Sequence, residues 1–371
     1  MLLYIKWRKL MGARNHKSWL AQPTVEHISS ECYSSHEIYK QEIEKIFSKV
    51  WIPIIHKSEI KNPGDYRTSQ IAFRNIVIIN HGDRIGCYIN PGLKGVAGTV
   101  DPTTVIESRE LLSEVKYGGM VWTTLNPIPT MDVEQWTDGA FDCISQAIDT
   151  EELEVFHYHK AIIPTNYKLW HDTNSEFYHD YMHYFNRITG FTPEYFARAC
   201  TGFDNGHVNV GSFEVQYDKF EGAADRGALS FPGVPPNQWY MVDLFPGYNF
   251  NLRGSAYRSD SITPLGPDSV LIEFRGYGLL SDSPKEREQR INDHNTIWGP
   301  FGRNLHEDLL GVTGQGVAMA PGTERRNILH GRHENNTIHD EVGMRHFYAE
   351  WAKYLDVDPA NPLQSELDKA T

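Results

Sequence analysis

The sequence predicts an α+β fold, a smaller β-rich front followed by a larger mixed domain. Short apolar runs punctuated by turn residues fill the chain to about residue 130. From residue 131 the texture changes, and helical periodicity alternates with longer strand-like runs. No internal repeat or low-complexity segment interrupts this organisation.

Taken in order, residues 37–49 (EIYKQEIEKIFSK) place Ile38, Ile43 and Ile46–Phe47 at helical spacing with charges between them. The run WIPIIH at 51–56 reads as a strand. Asn62-Pro63-Gly64-Asp65 is a turn signal, and YRTSQIAFRNIVIIN at 66–80 reads as a hairpin. Short β-like pieces continue from 83 to 125 and end in GGMVWTTLNP. Beyond them, FDCISQAIDTEELE predicts a helix and EVFHYHKAIIP a strand. Residues 165–191 predict one helix rich in ionisable groups. Strands are expected at 239–244, 248–258 and 269–278, and helices near 283–295 and 341–355.

The chain has 371 residues, room for two domains, and 40% hydrophobic with 22% charged residues is a globular composition. A net charge of −13 argues against nucleic acid or an anionic membrane as partner. No apolar run approaches the ~20 residues of a membrane span. The basic, partly apolar N-terminus is interrupted by Lys6, Arg8 and Lys9 and is followed by no small-residue cleavage site. A cytoplasmic protein is therefore expected. Cys32, Cys87, Cys143 and Cys200 form no C-x-x-C pair, and each is expected as a small buried hydrophobe.

The informative segment is Glu176-Phe-Tyr-His179-Asp-Tyr-Met-His183. On a helix, side chains four apart share a face, so two imidazoles so placed can share one metal. Asp172 and Glu176 would lie on nearby turns as acceptors for the ring N–H groups, or simply as solvated helix residues. Two histidines and one carboxylate form the usual face of non-haem iron(II) sites. The run Asn304-Leu-His306-Glu307-Asp308 offers a histidine and two carboxylates for the third place, and spacing leaves all three open. The pairs His157/His159 and His330/His333 read as incidental. There is no phosphate loop, dinucleotide fingerprint, nucleophile elbow or H-E-x-x-H motif.

Several segments resemble, in order, the large (α) subunits of the Rieske non-haem iron aromatic-ring-hydroxylating oxygenases. The opening EIYKQEIEKIFSKVWIPIIHKSEIKNPGDYRTSQIAFRNIVIIN and the run GGMVWTTLNPIP are similar to the edges of that family's cluster lobe. NYKLWHDTNSEFYH is similar to its signature at the catalytic iron. TPLGPDSVLIEFRGYGL, EDLLGVTGQGVAM and DEVGMRHFYAEWAKYL are similar to its later strands and C-terminal helices. The resemblance implies a Rieske-like β lobe followed by a helix-grip catalytic domain, an antiparallel sheet wrapped by helices. It implies three parts: an N-terminal segment and helix over 1–48, a β domain over 49–130, and a mononuclear-iron domain over 131–371. Carried over, His179, His183 and Asp308 are the iron ligands, with Glu307 open as an alternative one residue away. Glu176 stands where the family has the aspartate that bridges a histidine ligand to a neighbouring subunit's cluster. Asn166 and Tyr178 match the signature's asparagine and its aromatic.

The departures are equally informative. A [2Fe–2S] cluster of this type needs two cysteines and two histidines. The C-x-H and C-x-x-H pairs are both missing; Cys87 lies near the expected strand without a histidine, and the segment before GGMVW is shortened. A vestigial lobe without a cluster is expected. The histidine spacing is also one residue shorter than usual. The resemblance then implies a mononuclear Fe(II) oxygenase subunit acting with O2 on an aromatic or other apolar small molecule. Its electrons would come from a cluster-bearing partner in a trimer-based homo- or hetero-oligomer, possibly with a small β subunit. A redox-independent hydrolase or lyase on the same site and a non-catalytic structural subunit are the alternatives. Phe177, Tyr181 and Phe185 are candidates for the pocket wall.

Overall fold

Apolar alternation builds the front of the molecule. The computed structural model describes residues 27–103, 106–219, 228–321, 326–328 and 337–363. The basic N-terminal stretch and the His330/His333 pair lie outside the described residues. Front strands are β1 (His27–Ser29), β2 (Ile52–His56), β3 (Asp65–Ile71), β4 (Arg74–Asn80), β5 (Ile85–Ile89), β6 (Ala97–Thr99), β7 (Glu110–Leu111), β8 (Ser113–Lys116) and β9 (Met120–Thr123). Strands β2 to β9 form two small sheets, β2-β9-β8 and β6-β3-β4-β5-β7. The hairpin expected at 66–80 is β3–β4. Both faces of β4 are covered: Ile76 and Ile78 enter the main core, while Val77 and Ile79 pack with Tyr66 and Tyr88. That is why its sequence is continuously apolar instead of alternating. The helix expected at 37–49 is α1 (His36–Glu42), capped by the Ser35 hydroxyl and extended by a π-helical turn to Phe47.

The back is one antiparallel sheet of seven strands. These are β10 (Leu153–Ile163), β11 (Cys200–Gly202), β12 (Val208–Glu214), β13 (Gln238–Leu244), β14 (Tyr248–Arg253), β15 (Ala256–Gly266) and β16 (Ser269–Leu279). Their order is β10-β16-β15-β14-β13-β12-β11. The single strand expected at 248–258 is two strands, because the chain reverses at Gly254, whose φ is +56°. The helix expected at 141–154 is cut short to a 3₁₀ turn at Ala140–Ile144 and one turn at Ser145–Asp149, since β10 claims the rest.

Helices α2 (Tyr167–Glu176), α3 (Tyr184–Thr189), α4 (Pro284–Trp298), α5 (Arg303–Ala318) and α6 (Val342–Leu355) accompany this sheet, and β17 (Arg326–Ile328) returns to pair with β1. Ser283 and Glu286 form a capping box at the start of α4, with Pro284 in its first turn. A Cβ on Gly316 of α5 would sit 2.9 Å from Thr165 Oγ1 and 3.0 Å from Pro164 O, so α5 touches the backbone entering α2. No helix among the described residues is long and apolar enough to cross a membrane.

The helix expected across 165–191 is not continuous. Phe177 takes a left-handed conformation (φ 57°, ψ 0°) and ends α2. A 3₁₀ turn at Tyr178–Tyr181 follows, and α3 begins after His183. A left-handed non-glycine residue costs of order 1–3 kcal/mol. The Glu176 carboxylate offsets this by accepting the backbone N–H groups of Tyr178 and His179 that the break releases.

Buried polar pairs hold α2 in place. Lys168 Nζ meets Glu42 Oε1 at 2.6 Å with neither side chain exposed, and Trp351 Nε1 donates to the same oxygen at 2.7 Å. Asp172 accepts from Tyr33 (2.7 Å) and Tyr348 (3.1 Å). It is therefore committed to the core, not to the histidines as the helical spacing suggested. Removing one member of a buried ion pair strands the other, so Lys168→Met should lower stability by about 3–5 kcal/mol. Denaturant unfolding measures this; a loss below about 1 kcal/mol contradicts the anchoring role.

Burial pushes the Asp172 carboxyl up to about 7, against the opposing pull of His171, Tyr33, Tyr348 and Lys168. Its unfolded value is about 3.9. The folded state thus holds the extra proton, and this group's stabilisation is complete below the unfolded value and lost as pH rises through 7. Melting of the metal-free protein between pH 5.5 and 8 should show this decline, flattened in Asp172→Asn. Identical slopes in both proteins would remove Asp172 as the cause.

Candidate metal centre

The break at Phe177 decides where the histidines point. His179 lies on the 3₁₀ turn and His183 immediately precedes α3, so their approach owes nothing to i, i+4 helical geometry. The turn brings the rings to 5.1 Å between centroids at 83°. Helix α5 carries Glu307 and Asp308 to them. Asp308 Oδ1 lies 2.9 Å from His183 Nε2 and 3.4 Å from His179 Nε2. Glu307 Oε2 lies 2.7 Å from His183 Nδ1 on the outer side of that ring. Glu176 Oε1 faces His179 Nδ1 in the same way. Each ring is thus held by a carboxylate at Nδ1 while its Nε2 converges on Asp308, an arrangement that fixes the Nδ1–H tautomer. Neighbouring carboxylates on α5 therefore have different places, Asp308 between the rings and Glu307 behind one of them.

Asp308 Oδ1 is buried and has no hydrogen bond of acceptable geometry. A buried anionic oxygen in that state is costly unless a cation meets it. Two imidazole nitrogens and this carboxylate form the donor set of a non-haem iron(II) site, so the residues fit the metal. Asp180 also comes near: its Oδ1 is 3.6 Å from His179 Nε2, and ligand atoms of His179, Asp180 and His183 lie within 4.8 Å of one another. Its carboxylate already accepts from Tyr195 Oη and from Asn186 Nδ2, and it lies farther from the rings than Asp308. Asp308 is the better-placed third donor.

The electrostatics of the cluster favour positive charge. Burial favours neutral His179, but Glu176, Asp308 and Asp180 outweigh it and raise the ring well above the usual imidazole range. His183 is raised against burial by Asp308 and Asp180. Burial likewise opposes ionisation of Asp308, yet His183 and His179 hold it well below the usual carboxylate range.

A small cavity of about 40 Å³ opens beside these groups. Of the aromatics expected around it, Phe177 lines it, while Tyr181 is half exposed and Phe185 is buried against Tyr217. The opposite wall comes from the large sheet: Trp239 and Met241 on β13, Asn251 and Arg253 on β14, and Arg258 on β15. Sequence reasoning did not find these residues. They lie in strands whose both faces are buried, so no alternation of apolar and polar residues marks the cavity side. Two arginines within the strand-like run at 248–258 were the available signal.

Residues 150–357 match the family described as ring hydroxylating alpha subunit (catalytic domain). The chain is 48% identical to the methanesulfonate monooxygenase hydroxylase subunit alpha of Methylosulfonomonas methylovora, over 95% of this chain and 97% of that protein. It is 33% identical to the 2-aminobenzenesulfonate 2,3-dioxygenase subunit alpha of Alcaligenes sp., over 90% and 94%. Among solved structures it is similar to a quaternary ammonium Rieske monooxygenase (TM-score 0.71, 19% identity, 90% and 97% covered) and to naphthalene 1,2-dioxygenase from Rhodococcus sp. (TM-score 0.73, 15%, 90% and 94%). This chain belongs to the Rieske oxygenase α-subunit family and is an oxidoreductase of the oxygenase type. The family uses mononuclear iron at its catalytic site.

Carboxylates that orient a ligand histidine typically contribute 10–100-fold to metal affinity. Glu307→Ala should therefore weaken Fe(II) or Co(II) binding by about that factor without unfolding the chain. Metal titration checks this, and an unchanged affinity would mean that Glu307 is only a surface partner of His183.

Proposed function

We propose that the chain is the catalytic subunit of an oxygenase that holds one Fe(II) through His179, His183 and Asp308. The observation that carries this reading is the convergence of two Nε2 atoms on an otherwise unbonded, buried Asp308 oxygen. When bound there, the iron supplies activation of O2. The chain's own groups do the rest. Glu176 and Glu307 hold the protons at the two Nδ1 atoms and keep the rings oriented. Phe177, Trp239 and Trp298 wall the cavity and limit water. Two relatives aligned over most of the chain are named for sulfonates, and a third, 36% identical over 84% of this chain, is an anthranilate 1,2-dioxygenase large subunit. The names support a small organic anion as the substrate, and the 48% identical relative favours a sulfonate.

Electrons, in this reading, come from a cluster held by a partner subunit in an oligomer. The sequence has no C-x-H or C-x-x-H pair. The four cysteines lie on separate elements, and burial raises each thiol, Cys87, Cys143 and Cys200 to about 12, which opposes thiolate ligation. The alignment with the methanesulfonate enzyme spans 404 positions, more than this chain has residues, so part of that relative has no counterpart here. The front over 49–130 then reads as a Rieske-like lobe without its cluster, between the segment 1–48 and the iron domain 131–371. The similar quaternary ammonium enzyme is described with inter-subunit electron transfer. Beside the centre, Tyr181, Met182 and Tyr184 are half exposed, a surface suited to a protein partner.

Iron and acid-labile sulfide in purified wild type and His179→Ala test both parts. One iron per chain, no sulfide, and loss of iron in the variant are expected, with O2 uptake only when reductase and a cluster-bearing partner are added. Sulfide in stoichiometric amount would overturn the partner-supplied route, and absence of iron after iron-replete growth would overturn the metal centre.

A further inference from the structure

The cavity-facing side of the large sheet is polar where a sheet packed on helices is ordinarily apolar. In register across the strands, Asp243 pairs with Asn249 and Asn249 with Asp260; in the next row Met241 pairs with Asn251 and Asn251 with Arg258. All of these except Met241 are polar and buried. Arg253 and Arg258 are 2% and 3% exposed. Taking a guanidinium out of water costs several kcal/mol unless it is paired and fully hydrogen-bonded. Arg258 has one such bond, Nη2 to Asp260 Oδ2 at 2.8 Å. Its Nε and Nη1 are buried and have no hydrogen-bond partner among the described residues. Indole rings cover both cations: Arg253 lies 4.4 Å from the Trp239 ring and Arg258 5.0 Å from that of Trp298.

We propose that Arg258, with Arg253 and Asn251 beside it, forms an oxyanion subsite that takes the sulfonate of the substrate; the inference rests on the oxygenase reading of the neighbouring centre. A guanidinium presents its N–H groups as a fork, which matches two oxygens of a tetrahedral oxyanion. The cavity lining carries both signs of charge, Asp180 and Asp308 beside the histidines and Arg253 and Arg258 on the sheet. An anionic head is repelled by those carboxylates and drawn to Arg258, so the carbon end of the molecule faces His179 and His183. Phe177 and Met241 add apolar lining to the cavity, whose volume of about 40 Å³ suits a molecule of few heavy atoms.

The test is calorimetric titration of the anaerobic, iron-loaded full chain with methanesulfonate and with dimethyl sulfone, its uncharged analogue of similar size. Wild type should bind methanesulfonate at least about tenfold more tightly than the sulfone, and Arg258→Gln should lose about tenfold for methanesulfonate alone, the loss expected for charge-assisted hydrogen bonds. Arg258→Lys should fall between them. Equal wild-type affinity for the two compounds, or no binding of methanesulfonate, overturns the subsite without recourse to any variant. Unchanged affinity in Arg258→Gln overturns the role of Arg258. Iron content measured on the same samples separates the two readings: a variant that keeps its iron but loses methanesulfonate supports the subsite, whereas wild type without iron defeats the metal reading alone.

Discussion

Lys168 and Glu42 meet at 2.6 Å with no solvent on either side, and Trp351 donates to the same carboxylate oxygen. The pair links α1, α2 and α6, which are more than a hundred residues apart in sequence. With α2 held at its start by Asn166 and along its length by Lys168 and Asp172, its end at Glu176 has a fixed position. Everything at the metal centre is measured from that end. Glu176 caps the turn that follows and orients His179, so one carboxylate both stabilises the break and positions a ring of the candidate metal centre.

The site combines two devices of opposite sign. Around the histidines, Glu176, Asp180, Glu307 and Asp308 gather negative charge; Glu176, Asp308 and Asp180 raise the rings, and the same charge would attract a dication. Across a narrow cavity, Arg253 and Arg258 gather positive charge under indole rings. Such a field would orient a small anionic ligand, and Trp239 and Phe177 line the same space. The apolar pocket anticipated from the family's aromatic chemistry is thus narrowed here to apolar patches in a polar frame.

The candidate centre also lies close to the surface. Glu176 is 9% exposed and lies next to half-exposed Tyr181 and Met182, so the route from the surface to His179 is short. In the front, β4 is packed on both faces, and Cys87 on β5 is a buried core residue with Leu111 opposite it.

By itself the sequence determined the α+β division, the β3–β4 hairpin, strands β13 and β16, helices α4 and α6, and the two histidines with a C-terminal carboxylate. These are local matters, set by periodicity, turn residues and spacing. Tertiary structure decided the rest. The uninterrupted pattern at 165–191 predicts one helix, because a left-handed Phe177 carries no propensity signal; it exists only because Glu176 and the surrounding core over-determine it. Asp172 left the metal centre because Tyr33 and Tyr348, both distant in sequence, reach it first. Adjacent Glu307 and Asp308 are indistinguishable by spacing, and only the approach of α5 separates the inner oxygen from the outer one. The arginine wall was hidden for the same reason: in strands buried on both sides, only the neighbouring helices determine which side is the cavity.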